Sequence, residues 1–443
     1  MRARLESYFG VRASGSNLRR EVLGGLTTFL TMAYILVVNP VILSVAGMDR
    51  DGAFLATALA SAFATLLMGV VGRIPIALAP GMGLNAFFAY TICAVVDWQV
   101  GLGMIVLVSV IFFLLTLGRV RTAITTAVPP TLRFASAVGI GLFIALIGFK
   151  NAGVVVNHPA TFVTLGSLTE PHTMLALFAL VVTLSLIARG VGTAVFWGIV
   201  AATLVGSLTG IVRVDDWVQL PTGRLPGFDV DIAGALRLEY VPLGITLLFF
   251  ALFDAMGTLY AVGAEAKLLD EQGNFPYLGR ALMVDAGGAL AGGLLGTSPV
   301  PCYVESAPGV NVGARTGLAS VVTAACFLMS LFLFPLVSAI GAGVSVGSES
   351  FQPVTASALI VVGILMASSV TRIDWTAVTA CVPAFLTMTV MPFTFSIAHG
   401  LAVGFISYTL MKLASGRGRE AHWIVYALAA LFILNYAFAH MGH

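Results

Sequence analysis

The stretch Gly296–Gly317, GTSPVPCYVESAPGVNVGARTG, constrains this chain more than any other. It lies between two long apolar runs and so at the depth of a bilayer, yet it holds three prolines, four glycines and an ionisable Glu305. Backbone that is not helical survives in a bilayer only where protein or a water-filled cavity satisfies its N–H and C=O groups. Gly296–Tyr303 is therefore expected to line a cavity. A short helix then begins near Ser306–Gly309, its N-terminal amides turned toward whatever fills that cavity.

A related stretch stands in the first half of the chain. Residues 79–86 read APGMGLNA and residues 307–314 read APGVNVGA. Each follows a short apolar, β-prone segment, Ile74–Leu78 or Val300–Val304. Gly/Pro-interrupted segments at matching places in two halves are the sequence mark of a secondary transporter's binding site, which puts Gly81 and Gly309 at the starts of two half-helices.

Composition agrees. With 59% hydrophobic and 9% charged residues and a mean hydropathy of +1.01, the chain is a polytopic membrane protein and not a soluble globular one. The first apolar run, Gly24–Gly47, is too long for a signal-peptide core and no small-residue cleavage site follows it, so it reads as a retained span. Cys93, Cys302, Cys326 and Cys381 fall in apolar segments without metal-ligand spacing and read as small packing residues. The net charge of +2 points to no acidic partner such as nucleic acid.

Spans are expected near 24–45, 53–72, 76–94, 100–117, 132–150, 173–188, 192–211, 241–263, 279–295, 299–314, 316–338, 352–370, 376–391 and 394–411. The expected fold is thus all-α, with fourteen transmembrane segments as two seven-span repeats, the third and tenth spans interrupted. An odd number per half makes the second repeat inverted. With a cytoplasmic N-terminus, all of the 22 Lys/Arg except Arg50, Lys150, Arg213, Arg224 and Arg237 fall on cytoplasmic segments. The polar connections 151–172 and 212–240 are then extracytoplasmic. His422–Phe438, after the basic Lys412–Arg419 stretch, is either a fifteenth span or a helix at the cytoplasmic interface, and the interfacial helix is preferred.

Three carboxylates remain at membrane depth: Asp254, Asp285 and Glu305. A charge there costs roughly 2.5–3.5 kcal/mol on insertion scales, which marks a functional site. No Lys or Arg shares that depth, and such acids can carry a proton. The bland alternative is a neutral acid bonded to a backbone carbonyl, and it weighs most for Asp285, near a cytoplasmic end. Thr27, Thr28 and Thr31, Asn39, Asn85 and Thr258 supply polar groups, although such side chains commonly bond across helices or to their own backbone. Phe87, Phe88 and Tyr303 are flat surfaces for a flat ligand, with ordinary packing the commoner role for the two phenylalanines. GMGLNA is no phosphate loop, since Lys-Ser/Thr does not follow it. His158, His172 and His399 read as structural.

At these residues the chain resembles the AzgA-like purine permeases of the nucleobase/ascorbate transporter superfamily. The resemblance is carried by NPVIL (39–43), APGMGLNAFFAYT (79–91), FDAMGTL (253–259), GTSPVPCYVESAPGVNVGARTGL (296–318) and PAFLTMTVMPFTFSIAHGLAVGFISY (383–408). It implies a cytoplasmic lead-in (1–23), a core domain from 24–117 and 241–338, a gate domain from 132–211 and 352–411, and a cytoplasmic tail (412–443). It also implies proton-coupled uptake of purine bases across the inner membrane, with no cofactor besides the proton, and a homodimer through the gate. Position by position, Glu305 and Asp254 match the family's substrate-binding acids, Asn85 a substrate-contacting asparagine, and Thr28 a first-span position near the base. Ala251 stands where some relatives carry a second acid, and Pro301 and Pro308 where threonine and alanine are common. The choice among adenine, guanine and hypoxanthine stays open.

A purine edged with N–H donors suits a carboxylate acceptor, with half-helix amides meeting its ring acceptors. Asp254 is then the expected proton carrier and Glu305 the group that orients the base. The rivals are an anion transporter of the same inverted-repeat plan, disfavoured by two acids and no nearby Arg/Lys, and an intramembrane aspartyl hydrolase using Asp254 and Asp285, which lacks the expected motifs.

Overall fold

Nearly every apolar run folds as a helix, because only intrasegment hydrogen bonds satisfy a backbone in lipid. The computed structural model describes residues 2–118, 128–214, 216–271, 275–347 and 349–441; the side chains of 2–5, 253–254, 435 and 438–441 lie outside the description. After α1 (Arg2–Phe9), Asn17 caps α2 (Leu18–Met32) by accepting the Arg20 amide. A break at Ala33–Tyr34 separates α2 from α3 (Ile35–Val45). Asp49 caps α4 (Arg50–Leu67), which continues as a wider turn to Gly72. The six-residue α5 (Met82–Phe87) likewise widens through Phe88–Ile92.

The following helices are α6 (Trp98–Leu117), α7 (Pro130–Asn151), α8 (Pro171–Ala188), α9 (Ala194–Leu208), the short α10 (Ile232–Ala235) and α11 (Val241–Glu265). Then come α12 (Leu278–Leu295), α13 (Ala307–Val312), α14 (Gly317–Met329), α15 (Phe334–Gly341), α16 (Pro353–Ala367), α17 (Val378–Phe393), α18 (Ile397–Ala414) and α19 (Trp423–Met441). Among the described residues, nine helical segments are long and apolar enough to cross a membrane. Val304–Val312 and Gly317–Phe332, bent by 116° at their break, bring the number to ten if the pair is counted as one span, and Met82–Ile92, Ala194–Leu208, Val378–Phe393 and Trp423–Leu434 are shorter apolar helices. The chain is a predominantly helical multi-pass membrane protein.

Packing sorts these helices into two groups. In one, α14 lies against α2 and α4, α13 against α2, and α12 against α4 and α6. In the other, α7 lies against α16 and α17, α8 against α9 and α16, and α17 against α18. The groups meet where α5 touches α7, α9 touches α2, and α11 touches α18. Within the first group the backbones come very close: a Cβ on Gly317 would lie 2.0 Å from the Gly69 carbonyl oxygen. Small residues at helix crossings permit this approach.

Several expectations need correction. The fold is not purely helical, since β1 (Val155–His158) pairs with β2 (Phe162–Leu165), and β3 (Val344–Val346) with β4 (Glu349–Phe351). Both hairpins are short and lie in connections, where an apolar-run reading does not look. Helix α2 starts at Leu18, ahead of the first span expected from 24. The run set at 316–338 breaks at Ser330–Phe332 into α14 and α15. The repeated APG triplets are not equivalent either. Ala79–Gly81 is extended and precedes α5, whereas Ala307–Gly309 already forms the first turn of α13. The tail helix α19 packs on α18, with Phe405 and Phe432 ring centroids 6.1 Å apart.

Candidate functional site

The two interrupted stretches meet each other. Leu78 and Cys302 form an antiparallel bridge; the Tyr303 amide donates to the Ala77 carbonyl at 2.9 Å and the Gly81 amide to the Pro299 carbonyl at 3.2 Å. Buried side chains satisfy what the pairing leaves over, as buried backbone requires. The Thr65 hydroxyl donates to the Leu78 carbonyl at 2.8 Å and accepts the Leu78 amide at 2.9 Å. Ser306 accepts the Ala77 amide at 3.0 Å and donates to the Tyr303 carbonyl at 2.8 Å. Ser320 donates to the Ile74 carbonyl at 2.8 Å. Pro299 and Pro301 have no amide to satisfy, which suits an extended segment at this depth.

Asp285, 2% exposed on α12, belongs to this backbone accounting. Its Oδ1 accepts the Cys302 amide at 3.1 Å. Glu305 lies just beyond the crossing, in the single 3₁₀ turn Val304–Ser306 that leads into α13. The Tyr34 hydroxyl, reaching from the break between α2 and α3, donates to Glu305 Oε1 at 2.7 Å. Tyr303 is buried beside it, its hydroxyl donating to the Pro80 carbonyl.

The other sequence-chosen residues surround this cluster. Gly81 ends the first extended segment, where a Cβ would lie 2.9 Å from the Pro301 ring. A Cβ on Gly309 would lie 2.1 Å from Thr28 Oγ1 and 2.4 Å from the Gly24 carbonyl oxygen, so Thr28 meets the half-helix as a packing partner. Phe87 is fully buried, its ring edge-on to Phe250 with centroids 6.1 Å apart. Asn85 Nδ2 donates to Asn39 Oδ1 at 3.0 Å, and Asn39 Nδ2 donates to Thr57 and Thr297, each at 2.8 Å. This buried polar group joins α3, α4 and α5 to the start of the second interrupted stretch. Asp254 falls on α11, which packs against α5, the Val304–Ser306 turn and α13; its side chain lies outside the described residues.

Sequence reasoning missed Tyr34, Thr65 and Ser306, because a lone hydroxyl in an apolar run carries no pattern. It also missed Glu21, taken as part of the cytoplasmic lead-in. Glu21 is fully buried and accepts the amides of Arg315 at 3.0 Å and Thr316 at 3.3 Å, tying α2 to the start of α14.

The Permease family profile matches residues 19–403. Adenine permease AdeP of Escherichia coli is 43% identical over 98% of this chain and 96% of that protein. The chain belongs to the nucleobase/ascorbate transporter family. This permease is also 38% identical, over 98% of its length and 100% of the relative's, to guanine/hypoxanthine permease PbuG of Bacillus subtilis. Relatives of this kind make it a transporter and not an enzyme. Among solved structures, the transmembrane domain of the cyanobacterium bicarbonate transporter BicA superposes with a TM-score of 0.63, covering 86% of the permease and 97% of that chain. At 16% identity this likeness concerns the fold alone.

Proposed function

We propose that this permease imports purine nucleobases in symport with protons, across the inner membrane of its cell and with its N-terminus in the cytoplasm. The observation that carries the reading is Glu305, a half-buried carboxylate at the start of a half-helix whose preceding extended segment pairs with its counterpart, in a chain related over nearly its whole length to purine-base permeases. A carboxylate there accepts the ring or exocyclic N–H groups of a purine. Asp254, on the helix packed against that turn, is the group we assign to the proton. Asp285 we assign to holding the Cys302 backbone, leaving it at most an indirect part in coupling.

The two packing groups are what supports a core that carries the base and a gate against which it moves; to these we add, as part of the same proposal, fourteen spans arranged as two inverted sets of seven and a homodimer formed through the gate. Purified protein should bind adenine, hypoxanthine or guanine by calorimetry, and Glu305→Gln should lose that binding while remaining monodisperse. Undiminished binding by the variant overturns the assignment. The fold likeness to a bicarbonate transporter favours a second reading, an anion carrier. Glu305 beside the crossing weighs against an anion, and bicarbonate or sulfate uptake indifferent to excess purine would reverse that judgement.

A further inference from the structure

Tyr34 holds the site's carboxylate. It is 2% exposed and stands at the one interruption of the Leu18–Val45 span, Ala33–Tyr34, where the chain turns between α2 and α3. Its hydroxyl has a single proton, given to Glu305 Oε1 at 2.7 Å. The neighbouring Tyr303 hydroxyl gives its own proton to the Pro80 carbonyl and so is not a donor to Glu305. Among the described residues, Tyr34 is the side chain that donates to this carboxylate, with the residue's own amide beside it.

A carboxylate with both oxygens open takes two parallel N–H donors in a bidentate pair, the strongest neutral-ligand arrangement it can make. Oε1 still has a second lone pair, but a ligand N–H placed there has to share that oxygen with the Tyr34 hydroxyl. We propose that Tyr34 is a specificity-determining residue, which weakens Glu305 as a two-donor acceptor and disfavours bases that present two adjacent N–H groups on one edge. This inference rests on the purine reading. Guanine presents such an edge through N1–H and its 2-amino group. Hypoxanthine keeps N1–H and lacks the amino group, so the pair differs only in the donor at issue.

The test is the dissociation constant of hypoxanthine and of guanine on purified protein, wild type against Tyr34→Phe. Wild type should bind hypoxanthine more tightly than guanine. In Y34F the guanine-to-hypoxanthine ratio should fall about tenfold, the worth of one hydrogen bond to a charged group. A ratio is independent of how much protein is folded, and Tyr34→Met replaces Y34F should the latter not accumulate. An unchanged ratio in Y34F, or tighter guanine than hypoxanthine binding by wild type, overturns the role of Tyr34 while the purine reading stands. Binding of neither base by wild type is a failure of the purine reading, and this inference falls with it.

Discussion

Gly309→Ala should damage the permease far beyond the addition of one methyl group. The ideal Cβ would stand 2.1 Å from Thr28 Oγ1 and 2.4 Å from the Gly24 carbonyl oxygen. Thr28 can rotate away, but Gly24 offers only backbone, so α2 has to retreat from α13 by about 1 Å to restore contact distance. Overpacking of this kind costs typically about 1–3 kcal/mol, and a contact that only backbone movement relieves belongs at the upper end. The retreat also draws Tyr34, just past the end of α2, away from Glu305, so binding should weaken together with stability.

Gly279→Ala is the matched control. That glycine lies on helix α12 with open space at its Cβ, where alanine should be neutral or stabilise by up to about 1 kcal/mol. Thermal unfolding in detergent and saturation binding of a purine, measured on both variants, read the two consequences. G309A should unfold at a temperature lower by several degrees and bind less tightly, with G279A at or above wild type. A G309A protein with wild-type stability and affinity would refute the packing argument. Thr28→Ala added to G309A should rescue little, since it leaves the Gly24 contact in place.

Thr65→Val removes a hydroxyl that serves both the amide and the carbonyl of Leu78. Leaving two buried groups unpaired at about 1–3 kcal/mol each should lower the unfolding temperature, and Thr65→Ser should restore it; a Val variant as stable as wild type contradicts the accounting. In the exposed turn before α19, Glu420 is held down to about 2 by hydrogen bonds from Arg417 and Lys412, each at 2.7 Å. A depressed carboxylate contributes above its ordinary value and loses that contribution only as pH falls through the folded one. Any difference in melting between Glu420→Gln and wild type should thus be equal at pH 7.5 and pH 5.5, and a difference that vanishes by pH 5.5 speaks against the cluster.

How much of this was legible depended on whether a residue's role repeats along the chain. Apolar runs announce helices at every turn, so their positions were readable, while the hairpins at 155–165 and 344–351 occupy too few residues to register. Prolines and glycines marked both interrupted stretches, but that Ala77–Gly81 would pair with Pro299–Tyr303 is a tertiary fact. Glu305 stood out because a charge is costly at that depth. Tyr34, Thr65 and Ser306 are inexpensive there and look like any other hydroxyl until the partner across the fold is known. Glu21 fell within the cytoplasmic lead-in, among arginines, whereas α2 carries it inward onto the Arg315 and Thr316 amides.

The most direct test of the central claim is accumulation of labelled adenine, guanine and hypoxanthine in cells lacking their own purine permeases, with and without a protonophore, for wild type and Glu305→Gln. Wild type should take up at least one base, with uptake that collapses with the protonophore and is absent in E305Q at equal membrane abundance. Uptake indifferent to the protonophore would contradict proton coupling, and no uptake by wild type present in the membrane would contradict the purine carrier itself.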